Sequence, residues 1–242
     1  MHDVADLVDQ IGAGRAERVW HELEIRALFD RSRSLHRATL LLLEQGFVHE
    51  AVMLDRPLFT DSLALAELAA ADDERRGSLF VGWALGGLQQ LMGYFLDRRS
   101  RGHEVAGELE ALAERKREVE KYARDHGYST KHWQADDDAK RLADAHGRGS
   151  EYGAMLVTGM FVHGARTATS ERYLRTEEGV YVVGGPAPTP KSWERDAGLF
   201  ASRSMLLAAR AVCRLFGSAE PTELADVLKK VEQEAQRPSD SS

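Results

Sequence analysis

The sequence has very little cysteine, with Cys213 as the single example in 242 residues. No disulfide can form within one chain, so a reducing compartment fits this composition best. The apolar neighbours of Cys213 predict a buried thiol rather than a reactive one. The N-terminus also lacks the basic region and the apolar run of a secretory signal. We therefore expect a cytoplasmic protein.

Positive charge is scarce as well, since the net charge is -7 at pH 7. A protein whose main task is to hold nucleic acid usually carries a basic surplus, so the composition gives no evidence for nucleic acid as a partner. Hydrophobic residues make up 43% and charged residues 29% of the chain, as in an ordinary globular protein. At this length one core can bury about 70–75% of the surface of the unfolded chain.

Metal-ligand patterns are missing too. None of the nine histidines follows a glutamate by three residues, and there is no His-x-x-x-His pair. Neither a complete glycine-rich phosphate loop nor a nucleophile elbow is present. The Gly147-Arg148-Gly149-Ser150 sequence opens a helix and is suited to an anion, but helix capping explains it better. We therefore predict neither a bound metal nor a cofactor.

Helical periodicity extends over most of the chain. Apolar residues recur at helix spacing in about seven segments, most of which end at a glycine. The exception lies at 172–185, where two short β-like runs flank a Glu-Glu-Gly turn. We expect one all-α, bundle-like domain over 1–236 with a small β-hairpin insertion at 172–185, and a disordered tail at 237–242.

One apolar run, Leu79–Leu96, is long enough to cross a membrane. Two glutamines at its centre and arginines at both ends favour a buried core helix instead, so no membrane is expected. Gly82 and Gly86 in this run would then let a neighbouring helix approach closely. Self-association through this helix or the charged helix after it, and binding of a protein partner, remain open alternatives.

The best site candidate lies on the second predicted helix, which starts at Val48. This helix is apolar over more than half its circumference and should be central, yet it carries Asp55 and Arg56. Pro57 follows, removes a backbone donor and should kink the helix. A second polar anomaly is His163, which ends another strongly apolar helix. Buried charges must be paired or hydrogen bonded, so we expect these polar residues to contact one another.

We predict that Asp55, Arg56 and His163 meet in one polar cluster and are the candidate catalytic residues. A histidine that ends an apolar helix is more often structural, and a buried polar cluster is either a functional site or a structural network. Three further polar residues are candidates for binding a ligand at this cluster: Tyr152, His36 and Arg33.

Two hypotheses about function follow from this cluster. The favoured one is a ligand-binding or protein-binding regulatory module without catalysis. The alternative is a hydrolytic enzyme, either a nuclease or a phosphoester hydrolase, with His163 as general base and Arg56 as phosphate clamp. Arg31 and His36 do fit the Arg-to-His spacing of one family of helical ribonucleases, the higher-eukaryote-and-prokaryote nucleotide-binding family. Three other Arg–His pairs in the chain fit as well, so this spacing has little weight.

The run LLLLEQGFVHEAVMLDRPLFTDSLALAEL, with a late Tyr and a Phe-Val-His-Gly sequence, resembles the bacterial family catalogued as domain of unknown function 5677. The resemblance spans 35–164 and implies an all-α fold with a shared polar core. It implies no activity, because none is established for that family. The chain departs from the pattern at Pro57, Leu156 and Gly159. The matching positions are Gly46, Glu50, Ala51, Arg56, Leu58, Phe59, Trp133, Gly147, Tyr152 and His163.

Overall fold

The computed structural model describes residues 20–135, 137–153, 156, 173–175, 181–183 and 191–236. These residues are mostly helical, which confirms the all-α prediction. The helices are α1 (Trp20–Glu44), α2 (Val48–Ala70), α3 (Asp73–Ser100), α4 (Ala106–His126), α5 (Ala139–Ala145), α6 (described over 149–153), α7 (Lys191–Leu215) and α8 (Thr222–Gln236).

Two three-residue strands, β1 (Tyr173–Arg175) and β2 (Tyr181–Val183), pair antiparallel with their central residues opposite each other. Both lie in the segment 172–185, for which the sequence predicts a hairpin. Residues 176–180, where the turn is predicted, lie outside the described residues. The hairpin insertion as a whole therefore stays a prediction.

The connection between α1 and α2 depends on Gly46, as the sequence predicts. Gly46 has a φ of 78°, a left-handed conformation that side chains disfavour. The amide of Phe47 donates to the carbonyl of Leu42 at 2.8 Å and closes the end of α1. Further along the pair, Arg31 Nε on α1 binds Asp61 Oδ2 on α2 at 2.9 Å. The two helices therefore lie antiparallel, side by side.

The chain packs as two compact units, which divide within α2 and again before α5. The larger unit includes the described residues up to Ala66 and those from Ala139 onward. In this unit α7 packs on α1, and α8 packs on α7. Phe59 of α2 is fully buried there, with its ring centre 5.2 Å from that of Phe200 on α7. The predicted single domain over 1–236 stays a prediction, and the predicted tail lies outside the described residues.

The smaller unit spans Glu67–Asp138 and contains α3 packed against α4. The carboxylate of Asp72 accepts a hydrogen bond from the Arg75 amide at 2.8 Å and caps the start of α3. Ser78 is also a residue type that caps helices, but Asp72 satisfies the free amides more than one turn earlier. Ser78 lies inside the helix, and its Oγ accepts the Ser129 amide at 3.0 Å.

The apolar run of α3 is not the buried core helix that its composition predicts. Within the described part of the chain, α3 is the one helix long and apolar enough to cross a membrane, and 22% of its apolar window is buried. Phe80 and Val81 in the first half are buried, whereas Leu91, Tyr94 and Leu96 in the second half are exposed. The prediction failed because composition alone does not say which faces of a helix meet a neighbour.

The glycines of α3 do permit close packing, but their neighbour is not a helix. A Cβ on Gly82 would overlap the backbone carbonyl of Lys131, and a Cβ on Gly86 would overlap the His132 ring. Lys131 and His132 belong to the irregular segment 128–134, which follows α4 and runs along α3. The sequence predicts that a second helix packs against these glycines, but an irregular segment packs there instead.

Candidate functional site: buried polar groups of the larger unit

Asp55 is a buried carboxyl group near the middle of α2. It is 2% exposed, and its Oδ1 has no hydrogen-bond partner within the described residues. Burial raises the pKa of Asp55 well above its usual range, which favours the neutral acid. Arg56 is half-buried, and no ion pair joins it to Asp55 in the described part of the chain. Asp55 is therefore a buried carboxyl group whose neutral form is favoured, and it is not half of a salt bridge with Arg56.

His36 is a buried imidazole on α1, 1% exposed, whose Nε2 has no hydrogen-bond partner among the described residues. Burial lowers the pKa of His36 to about 4, with a contribution from the charge of Arg37. The ring is neutral at pH 7 as a result.

His36 and Asp55 lie at the same level of the α1–α2 pair. The contact between Arg31 and Asp61 fixes the register of the two helices. His36 lies five residues after Arg31 on α1, and Asp55 lies six residues before Asp61 on α2. Because the helices are antiparallel, both steps run in the same direction. The two steps differ by one residue, so at a rise of about 1.5 Å per residue His36 and Asp55 differ in position along the helix axes by about 1.5 Å. No hydrogen bond joins them in the described structure. The two helices therefore bring a buried imidazole and a buried carboxyl group to one level of the core.

The remaining predicted site residues are dispersed. Arg33 forms an ion pair with Asp30 on its own helix, at 3.1 Å. Tyr152 lies half-buried on α6, and its amide donates to the carbonyl of Arg148 at 3.3 Å. His163 lies outside the described residues. The cluster predicted around His163 therefore stays a prediction.

The sequence analysis missed a second buried polar centre, which surrounds Arg148. This arginine directly precedes α6 and is 6% exposed. Its guanidinium group forms an ion pair with Glu151 on the first turn of α6 and donates to Ser204 Oγ on α7 at 3.3 Å. Glu151 also binds Arg203 of α7, with 2.8 Å between Oε1 and the guanidinium nitrogen. We call Arg148, Glu151, Arg203 and Ser204 the arginine centre.

The arginine centre carries more positive than negative charge, because Glu151 is shared by two arginines. Burial, together with the nearby charge of Arg203, lowers the pKa of Arg148 to about 9. The side chain of Arg203 is 34% exposed, while those of Arg148 and Glu151 are 7% and 12% exposed. The arginine centre is therefore accessible to solvent at Arg203, whereas Arg148 and Glu151 are largely buried.

The sequence contained one signal for this centre. The Gly-Arg-Gly-Ser start of a helix is suited to an anion, but the capping interpretation set it aside. Arg203 and Ser204 are separated from Arg148 by more than fifty residues and lie on an amphipathic helix with ordinary periodicity. Nothing in the sequence links them to Arg148.

Metal ligands are not grouped in the described residues, where no set of three or more His, Cys, Asp or Glu side chains is placed to hold an ion. Comparison with known proteins found no matching family model, curated protein or solved structure. The resemblance to domain of unknown function 5677 stays a prediction, and function has to be argued from geometry alone.

Proposed function

We propose that the protein is a cytoplasmic ligand-binding, regulatory module that binds a small anion, a carboxylate or a phosphate group, at the arginine centre. The observation that carries this proposal is the sharing of Glu151 between Arg148 and Arg203. Within the described residues, two guanidinium groups with one carboxylate leave one positive charge in a largely buried place. A further anion compensates that charge, because buried charges are costly unless they are paired.

Arg203 is the residue that contacts the ligand in this proposal. Its side chain is the most exposed of the three charged groups, so an anion from solvent reaches it first. A guanidinium group presents two parallel N–H donors, which match the spacing of carboxylate and phosphate oxygens. Glu151 occupies one edge of Arg203 and leaves other donors of its fork for the ligand.

Arg148 acts behind Arg203 as a positioning residue. Its guanidinium group is held by Glu151, by Ser204 and by two aromatic rings, so it cannot swing out toward solvent. Ser204 Oγ donates its own proton to the Phe200 carbonyl at 2.9 Å and therefore accepts from Arg148 with a fixed orientation. Arg148 contributes a fixed positive charge, and its position requires no rearrangement on binding.

The hydrolase alternative has less support. It depends on a contact between Arg56 and His163, and His163 lies outside the described residues. Asp55 and His36 place a carboxyl group and an imidazole at one level of the core, but both are nearly inaccessible to solvent. The contacts among the described residues therefore support a binding role better than a catalytic role.

The test is a calorimetric titration with inorganic phosphate and with acetate at low, constant ionic strength. We expect binding by the intact protein and a loss of about tenfold in affinity in Arg203→Gln, equal to about 1.4 kcal/mol. Arg210→Gln is the matched control, because Arg210 lies seven residues further along α7, is also partly exposed and pairs with Glu220 at 3.3 Å. Equal losses in both variants, or no binding by the intact protein, would contradict the proposal.

A further inference from the structure

One line of side chains on α7 is accessible to solvent along the middle of the helix. Over residues 197–213 every position is buried except Arg203, Leu207 and Arg210, which follow one another at helical spacing. Arg214, four residues further on, continues the line, and its side chain is 62% exposed. We call Arg203, Arg210 and Arg214 the arginine row. Because the neighbouring positions are buried, the row lies between elements that cover α7 on both sides.

The carboxylates that contact the arginine row are fewer than the arginines. Glu220, which follows α7, is shared by Arg210 and Arg214, with 3.3 Å and 3.8 Å between its carboxylate oxygens and their Nε atoms. In the arginine centre Glu151 is shared by two arginines in the same way. Within the described residues, each carboxylate therefore compensates one of two arginines, and each pair of arginines retains one positive charge.

The two remaining positive charges are separated along the helix axis. Arg203 and Arg210 are seven residues apart, which is about 10 Å at a rise of about 1.5 Å per residue. In the other direction, Asp196 lies seven residues before Arg203 on the same line and is exposed. An anionic ligand is therefore attracted along the line from Arg203 towards Arg214, and it is repelled on the other side of Arg203.

We propose that the arginine row binds a short linear polyphosphate, with one phosphate group at Arg203 and another at Arg210. This inference rests on the proposed function, because the anion at Arg203 is then the first group of a longer ligand. A guanidinium group binds phosphate oxygens through two parallel N–H donors. Positive charges between low-dielectric walls also attract an anion more strongly than the same charges on an open surface.

A single-stranded nucleic acid also carries a series of phosphates, but two observations favour a chain without bases. Proteins that hold single strands stack the bases on aromatic side chains. The one residue between Arg203 and Arg210 on the accessible line is Leu207, which offers no such ring. The protein also has a net charge of -7, which repels a long polyanion beyond the row.

Calorimetric titration of the full-length protein at low, constant ionic strength tests this inference. Three probes are titrated separately: inorganic phosphate, a linear polyphosphate long enough to span about 10 Å, and an oligodeoxythymidylate of equal charge. Joining the phosphate groups makes the second contact intramolecular, so we expect the polyphosphate to bind at least about tenfold more tightly than phosphate. The oligonucleotide should bind about tenfold more weakly than the polyphosphate, because its bases find no stacking surface.

Two variants separate this inference from the proposed function. Arg203→Gln should weaken the binding of both phosphate and polyphosphate. Arg210→Gln should weaken polyphosphate binding about tenfold and leave phosphate binding unchanged, because a single phosphate binds at the largely buried arginine centre rather than at the more exposed pair around Glu220. Arg101→Gln is the matched control, since Arg101 also pairs with a carboxylate, Asp97 at 2.9 Å, but belongs to the smaller unit.

The inference is overturned if Arg210→Gln binds the polyphosphate as tightly as the unchanged protein does, or if Arg101→Gln loses as much affinity as Arg210→Gln. It is also overturned if the polyphosphate binds no more tightly than phosphate, or if the oligonucleotide binds as tightly as the polyphosphate. In each of these cases, phosphate binding that depends on Arg203 would still support the proposed function. An unchanged protein that binds no phosphate contradicts both.

Discussion

The guanidinium carbon of Arg148 lies 5.2 Å from the centre of the Phe59 ring, so a buried cation rests against the aromatic core of the larger unit. The ring of Phe200 lies on the same group at 6.0 Å. A cation over a ring face is favourable, more so when water is excluded. Arg148 shares the carboxylate of Glu151 with Arg203. The two aromatic contacts therefore help to hold the positive charge of Arg148 in place.

The shared carboxylate predicts an order of stability among variants of the arginine centre. Glu151→Gln should be the most damaging, at about 3–5 kcal/mol, because it leaves two arginines without a counter-charge in a largely buried place. Arg148→Met should cost less, about 1–2 kcal/mol, because Glu151 still has Arg203 and the apolar side chain still fills the space beside Phe59. Urea unfolding measures both values. The opposite order would show that Glu151 does not bridge the two arginines.

The ends of the helices could be predicted from the sequence because glycine marks them. Gly46, Gly127, Gly147 and Gly217 all have positive φ at the end of a helix, as the sequence predicts. The start of α3 was less certain, since Asp72 and Ser78 are both suitable caps and only the packing of the smaller unit decides between them. A helix end that nearly requires glycine is therefore easier to predict from the sequence than a helix start, where several residue types are suitable caps.

The candidate sites could be predicted only in part. Asp55 stands out in the sequence because it is a charged residue on a helix that is apolar over more than half its circumference, whereas His36 was named only as a candidate for binding a ligand; both are buried. The arginine centre could not be predicted, since it depends on the approach of α6 to α7. The exposure of the second half of α3 could not be predicted either, because an apolar run has the same composition whether or not a neighbour covers it.

The packing of the segment 128–134 predicts different outcomes for two glycines of the same helix. Gly82→Ala should destabilise the protein, because the new Cβ would overlap a backbone carbonyl, which cannot move independently of its chain. Gly87→Ala is the matched control: no atom lies within 4 Å of its Cβ position, so the better helix propensity of alanine should stabilise it by up to about 1 kcal/mol. Chemical denaturation of the two variants separates the cases. Stabilisation by both would mean that the segment does not lie against α3.

The low pKa of His36 predicts a loss of stability on acidification. Its pKa is about 4 in the folded protein against an ordinary 6.5, so the unfolded chain takes up the proton first as the pH falls. Between these two values the unfolded state binds more protons, and the free energy of unfolding decreases with falling pH. His36→Gln should flatten this part of the pH profile, measured by urea unfolding from pH 7 to pH 4. An unchanged slope in the variant would argue against a buried, neutral imidazole.

Asp61 predicts the opposite slope in nearly the same pH range. Burial raises its pKa from 3.8 to about 7 in spite of the ion pair with Arg31, whose own side chain is 58% exposed and therefore well screened by water. Between these two pH values the folded state binds more protons than the unfolded state, so the contribution of Asp61 to stability decreases as the pH rises. Asp61→Asn keeps the size of the side chain but cannot titrate.

In the Asp61→Asn variant we expect the free energy of unfolding to increase more steeply with pH between pH 4 and pH 7 than in the unchanged protein, because the opposing contribution of His36 is then left uncompensated. The same urea titrations measure it, and Asp97→Asn is the matched control. Asp97 also pairs with an arginine, Arg101 at 2.9 Å, but its side chain is 53% exposed, so its removal should leave the slope unchanged. A shallower slope in Asp61→Asn would mean that Arg31 outweighs burial and that Asp61 is ionised throughout this range.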